Sequence, residues 1–228
     1  MIAVEELKRQ AGDRAAEYVQ DGMVVGLGSG STARYATLRI GQKLRSGELR
    51  DVVGVPTSIE TETLARAEGI PLTTLEEHGQ IDVTIDGADE VDPDYNVIKG
   101  LGGFLLREKI VAYSTRYEII VVDESKLVDR LGTKSPVPVE VIRFGWRNTR
   151  AALEDTGARP VLRHVNGEPY LTDEGNYVLD CHYPGISCPY ELEAEILSIP
   201  GVVETGLFLG MVHCVIVAGA DGIRIMER

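Results

Sequence analysis

The chain is poor in cysteine, in lysine and in long apolar runs. Its three cysteines, Cys181, Cys188 and Cys214, are few and odd in number for 228 residues. That argues for a reducing, cytoplasmic setting rather than a disulfide framework. No stretch of 18 or more apolar residues occurs, so no membrane-spanning helix is expected. The first residues, MIAVEELKRQAGDRAAEYV, carry acids early and lack a long apolar centre, so they do not read as a secretion signal. The lysines are Lys8, Lys43, Lys99, Lys109, Lys126 and Lys134 alone; the rest of the 23 basic residues are arginines. Against 36 acids they leave a net charge of −13. This balance disfavours nucleic acid and anionic membrane surfaces as partners. An anionic substrate would need a local exception, from backbone N–H groups or a few lysines. Acid excess with scarce lysine suits a salt-rich cytoplasm and equally a biased base composition. There is no internal repeat, no low-complexity segment, no G-x-S-x-G elbow and no P-loop.

What is present is an alternation of periods. Glu5–Tyr18 is helical by its three-and-four spacing of Leu7, Ala11, Ala15 and Tyr18, and Asp21-Gly22 ends it. Met23–Leu27 reads as a buried strand, Ala33–Leu44 as a helix, Val52–Val55 as a strand and Ile59–Glu68 as a helix. Leu72–Leu75 and Val83–Asp86 read as strands, Phe104–Thr115 as a helix and Tyr117–Val122 as a strand. That rhythm predicts a Rossmann-like α/β domain with a mostly parallel sheet covered on both faces. After Lys134 the rhythm changes. Strand Val139–Arg143, helix Asn148–Asp155, strands Pro160–Arg163 and Asn176–Cys181, helix Glu191–Leu197 and strand Val202–Leu209 follow the β-α-β-β-α-β order of a smaller ferredoxin-like α+β domain. Val212–Val217 and Ile223–Met226 read as strands returning to the first sheet. The expected division is 1–134 with 210–228 as the catalytic domain and 135–209 as an insertion.

In a parallel sheet, ligands bind outside the carboxyl ends of the strands. The chemistry-bearing stretches follow Leu27, Val55, Ile85 and Val122, which are such ends. Gly28-Ser29-Gly30-Ser31-Thr32-Ala33 fits the loose G-x-G-x-x-[GA] form. A nicotinamide cofactor would call for an acid closing the second strand, and Val55-Pro56-Thr57-Ser58 has none. Hydroxyls and N–H groups at a helix start suit a phosphate instead; the alternative is a plain tight turn. Glu108 shares a helix face with Phe104, Leu105 and Ala112. An apolar face raises a carboxyl pKa and suits a general base near neutrality; the alternative is an exposed acid between Arg107 and Lys109. Lys99 is either a surface lysine or an oxyanion stabiliser. Lys126 can bind phosphate or pair with Asp123 and Glu124. Asp92-Pro93-Asp94 is a solvated hairpin tip. Cys181, His182 and Cys188 fit no common zinc spacing, Cys214 reads as core, and His78, His164 and His213 have no visible nucleophile partner.

Taken together, GLGSGST at Gly26–Thr32, DGADEVD at Asp86–Asp92, IKGLGG at Ile98–Gly103, REK at Arg107–Lys109 and DESK at Asp123–Lys126 resemble type A ribose-5-phosphate isomerases. TDEGNYVLD from Thr172 and IPGVVETGLF from Ile199 resemble the same family. The resemblance runs over nearly the whole chain with the motifs in order. It implies a cytoplasmic enzyme that interconverts ribose 5-phosphate and ribulose 5-phosphate, needs no metal or organic cofactor, and forms homodimers or homotetramers. By motif position Glu108 matches the base, Asp86 and Asp89 the acids on the sugar hydroxyls, and Lys99 the lysine beside the reacting oxygens. Ser29, Gly30, Ser31, Thr32, Gly87, Ala88, Gly100, Leu101, Gly102 and Lys126 match substrate contacts. Leu101 departs from the family's pattern, because it interrupts a run of glycines and puts backbone approach there in doubt. Ser29 stands where many relatives carry threonine.

The residues suit that chemistry without the name. Moving a proton between adjacent carbons through an enediolate needs one carboxylate, a cation or N–H donors at the oxygen, and a separate acid–base group for ring opening. Two rivals are a sugar-phosphate sensor, for which Glu108 would be idle and no basic DNA-reading segment is seen, and a nucleotide-dependent oxidoreductase, against which the second strand argues.

Overall fold

The computed structural model describes residues 4–228. By packing, the chain forms two compact units. One comprises the residues up to Ala88, Arg107–Lys126 and Met211–Arg228; the other comprises Asp89–Leu106 and Leu127–Gly210.

The first unit is built on a six-stranded sheet. Its order is Gly222–Glu227, Cys214–Gly219, Thr115–Asp123, Ile81–Gly87, Val24–Leu27, Val53–Pro56. All neighbours are parallel except the closing hairpin of Cys214–Gly219 with Gly222–Glu227. Val24–Leu27 and Cys214–Gly219 are buried at every position, as strands covered on both faces must be. Alternation then sorts the side chains. Val25, Leu27, Val83, Ile85, Ile119 and Val121 pack with Ala11 and Ala15 of the helix Val4–Ala15 and with Ala36 and Ile40 of Ala33–Ser46. Val24, Val55 and Ile81 pack with Val111 in a separate cluster. Ser58 caps the helix Ile59–Ala67 by accepting the Thr61 N–H. No helix among the described residues is long and apolar enough to cross a membrane.

The expected strand Leu72–Leu75 does not form. Only Leu72 bridges, to Gly54, through Gly54 N–H to Pro71 O and Thr73 N–H to Gly54 O. Thr74 instead starts a turn, accepting the His78 N–H on its carbonyl and the Glu77 N–H on its hydroxyl.

The second unit holds a four-stranded antiparallel sheet in the order Val202–Thr205, Val137–Val141, Tyr177–His182, Arg159–Leu162. With the helices Trp146–Asp155 and Pro189–Leu197 this is the ferredoxin-like order, fourth strand beside first, then third, then second. Val137, Val139, Val141, Leu153, Leu179, Cys181 and Ile196 form its core. The strand expected over Val202–Leu209 breaks at Gly206. Beyond it Leu207–Phe208 joins a small sheet with Val97–Ile98 and Glu90–Val91. A hairpin, His164–Val165 with Glu168–Pro169, turns through Asn166-Gly167, both at positive φ. Asn-Gly is a strong hairpin signal, and the sequence reading passed over it.

By packing the second unit takes in Asp89–Leu106 and begins at Leu127, segments the sequence reading had put with the parallel sheet. The buried Glu90 carboxylate explains this. It accepts the backbone N–H groups of Gly132, Lys134 and Ser135 at 2.5–2.6 Å, while Val91 bridges Leu127.

Candidate active site

In the first unit the loops after the parallel strands carry the expected residues. The Ile81–Gly87 strand delivers Asp86, whose side chain is 1% exposed. One of its oxygens accepts the N–H of Ser29 at 3.1 Å and of Gly87 at 2.7 Å. Gly28 makes this approach possible. A Cβ at residue 28 would lie 2.4 Å from both the Asp86 carboxylate and the Ile85 carbonyl. The loop Gly28–Thr32 is therefore laced to the strand that bears Asp86.

Ser29 points its hydroxyl inward rather than to solvent. Ser29 Oγ lies 2.7 Å from Thr57 Oγ1, 2.7 Å from Ser58 Oγ and 3.0 Å from Thr61 Oγ1. Thr61 in turn donates to the Gly28 carbonyl and Thr57 to the Leu27 carbonyl. Four buried hydroxyls thus tie the first loop to the second strand end and its helix. Gly30 and Ser31 are exposed and Thr32 half-buried at the start of Ala33–Ser46, with no side-chain cap from Thr32. A helix start leaves N–H groups without intrahelical partners, which suits an anion. Gly87 and Ala88 are half-buried. Lys126 is half-buried in the 3₁₀ turn Glu124–Lys126, after the strand ending at Asp123.

Glu108 lies in the first turn of the helix Leu105–Tyr113 and is 4% exposed. The alternative of a solvated edge does not hold: Lys109 is also buried, and Ile110 and Tyr113 are the exposed positions. A buried acid on a helix start gains from the positive end of the helix dipole.

In the second unit Lys99 ends Val97–Ile98 and is 3% exposed, its Nζ 5.4 Å from the centre of the Phe208 ring. It is not a surface lysine. Asp89 is half-buried, and its Oδ2 accepts the Leu101 N–H at 3.0 Å. Gly100 and Gly103 have φ of 102° and 88°, a region that favours glycine; Leu101 does not. The break in the glycine run therefore falls where the backbone has no need of glycine. Leu101 is 41% exposed, while its N–H is held by Asp89 and its carbonyl by Arg163. Asp92 turns its hairpin by accepting the N–H groups of Asp94 and Asn96. Burial pushes its carboxyl above the ordinary value, so it is not simply solvated.

Residues 53–222 match the family of ribose 5-phosphate isomerase A (phosphoriboisomerase A). The chain belongs to the ribose 5-phosphate isomerase A family. It is 55% identical over 221 residues to ribose-5-phosphate isomerase A of Gloeobacter violaceus, covering 96% of this chain and 95% of that one. It is 51% identical to the enzyme of the same name from Roseiflexus castenholzii, covering 96% and 94%. Among solved structures, a D-ribose-5-phosphate isomerase in complex with phospho-erythronic acid superposes with a TM-score of 0.97 at 44% identity over the whole of both chains. The ribose 5-phosphate isomerase of Plasmodium falciparum gives 0.96 at 42%, covering 98% and 99%. The chain is an isomerase of this family.

No group of three or more potential metal ligands occurs among the described residues. Cys181 is buried and Cys188 exposed, and burial pushes the Cys181 thiol up to about 12. Cys214 is core, as expected. The sequence reading missed Thr57, Ser58, Thr61 and Arg163, each of which braces a site loop. A hydroxyl run after a strand end was the available signal for the first three. Arg163 carried none, because its partners are distant in the chain.

Proposed function

We propose that the chain interconverts D-ribose 5-phosphate and D-ribulose 5-phosphate through an enediolate, in the non-oxidative branch of pentose phosphate metabolism. One observation carries the reading: in a chain of this family, the two carboxylates the reaction needs, Asp86 and Glu108, are both buried acids. Glu108 takes the proton from carbon 2 and returns it to carbon 1. Lys99 and the N–H groups of Gly100 and Gly102 stabilise the enediolate oxygen, where preorganised donors act most strongly, and Leu101 lines the same loop with its own N–H held by Asp89. Asp86 and Asp89 hold the sugar hydroxyls, and Asp86 serves ring opening. Ser31 and Thr32, with the N–H groups of the Gly30–Thr32 turn, hold the phosphate, and Lys126 adds a substrate contact. Ser29, Gly87 and Ala88 contribute backbone to the same loops. The phosphate end supplies binding energy that orients the reacting carbons. The step needs no cofactor, because the proton is moved within one molecule and no electrons leave it. The enzyme acts in the cytoplasm as a homodimer or homotetramer. Incubation with ribose 5-phosphate in chelator, without added cofactor, is expected to yield a ketose phosphate. Strict dependence on a divalent ion or a nucleotide would overturn this reading.

A further inference from the structure

Arg163 follows the edge strand Arg159–Leu162 and is shielded from solvent, with its side chain 12% exposed. Its guanidinium meets Asp180 in a two-pronged pair: Nε donates to Oδ2 at 2.9 Å, and Nη2 donates to Oδ1. Asp180 sits on Tyr177–His182, in register with Val161. The third nitrogen, Nη1, donates to the carbonyls of Gly100 at 2.9 Å and Leu101 at 3.0 Å. The Tyr170 ring packs 5.8 Å from the guanidinium carbon, and a Cβ on Gly103 would strike that ring. One rigid fork, anchored to the sheet, thus grips two successive carbonyls of the glycine loop.

A trans peptide points its C=O and N–H in opposite directions. Holding the Gly100 carbonyl aims the Leu101 N–H, and that N–H is bonded to Asp89 Oδ2. Holding the Leu101 carbonyl aims the Gly102 N–H away from Arg163. We infer that Arg163, fixed by Asp180, is a positioning residue for substrate binding: it sets the direction of the Leu101 and Gly102 N–H groups and, through the first, of the Asp89 carboxylate. The loop's conformation is imposed by the clamp rather than by an unbroken glycine run, which is why leucine is accepted at 101. The functional part of this inference rests on the assignment of Asp89 and Gly100–Gly102 to the sugar phosphate.

The test uses Arg163→Lys and Arg163→Met, with Asp180→Asn as a third variant that keeps the guanidinium and loosens its anchor. A lysine ammonium is a point donor and cannot fork across a carboxylate and two carbonyls. KM for ribose 5-phosphate is expected to rise about tenfold in Arg163→Met, and by less in the other two, with kcat within about threefold of wild type. That split marks lost binding rather than lost chemistry. Amide hydrogen exchange at Leu101 is expected to quicken in all three, a readout independent of turnover. A folded Arg163→Lys with wild-type KM overturns the role in binding while leaving the isomerase assignment standing. Unchanged exchange at Leu101 overturns the clamp itself. Wild-type protein that makes no ketose, with exchange at Leu101 still quickened in the variants, sinks the substrate assignment and spares the clamp. Should Arg163→Met fail to fold, Arg163→Lys carries the decision.

Discussion

A methyl group added at residue 28 has no room, because it would sit 2.4 Å from an oxygen of Asp86 and from the backbone of Ile85. The Ile85 carbonyl and the Asp86 Cα, 2.5 Å away, are backbone and cannot swing aside, so the loop or the strand must shift. Overpacking of this kind costs about 1–3 kcal/mol, and an error near 1 Å in a reacting group costs about 10²-fold in rate. Gly28→Ala is therefore expected to lower both the urea midpoint and kcat/KM. A variant with wild-type kcat/KM would contradict the placement of Asp86 by this loop. At this scale the site was partly legible. Glu108 and Lys99 each kept an exposed alternative, but the burial of Asp86 could be read from the apolar strand that it ends. The direction of the Ser29 hydroxyl could not, because its partners Thr57, Ser58 and Thr61 lie 28–32 residues away.

Among the elements, Val137–Val141 contains an acid that its apolar neighbours do not foretell. Glu140 is buried, and its Oε1 accepts from Thr172 Oγ1 and Asn176 Nδ2. Burial raises its pKa above the ordinary 4.5, outweighing those two bonds. An acid raised in the folded state adds stability that is complete below 4.5 and is lost as pH rises through the folded-state value. Glutamine keeps an Oε1 that can accept both bonds and carries no charge to bury. Glu140→Gln is thus expected to be more stable than wild type at pH 7, with the difference shrinking as pH falls through the raised folded-state value towards 4.5 and constant below it; thermal melts from about pH 7 to about pH 4 check it. A gain that is independent of pH would show that the charge is not its source. Parallel strands were legible because burial on both faces writes an unbroken apolar run, as in Val24–Leu27. Leu72–Leu75 misled because the short apolar pair does not reveal that Thr74 starts a turn, taking the N–H groups of Glu77 and His78. The break at Gly206 was hidden because Leu207–Phe208 continues the apolar pattern while pairing with a different sheet.

For the whole molecule, the two-part order of elements followed from the change of period after Lys134, whereas the packing boundary depended on Glu90, a residue whose three backbone partners lie more than 40 positions on. Self-association follows the same logic of surface. Phe144 is 90% exposed and Ile142 41%, apolar area of the kind that association covers. Light scattering of the native protein is expected to give two or four times the 24.9 kDa chain mass, and a monomer at micromolar concentration would remove that part of the account. The central claim concerns the proton. With ribose 5-phosphate and chelator present, turnover by wild type and by Glu108→Gln can be compared directly at matched melting temperature. Loss of a general base predicts a fall of about 10²–10⁴ in kcat, whereas near-wild-type turnover in the glutamine variant would contradict the role of Glu108.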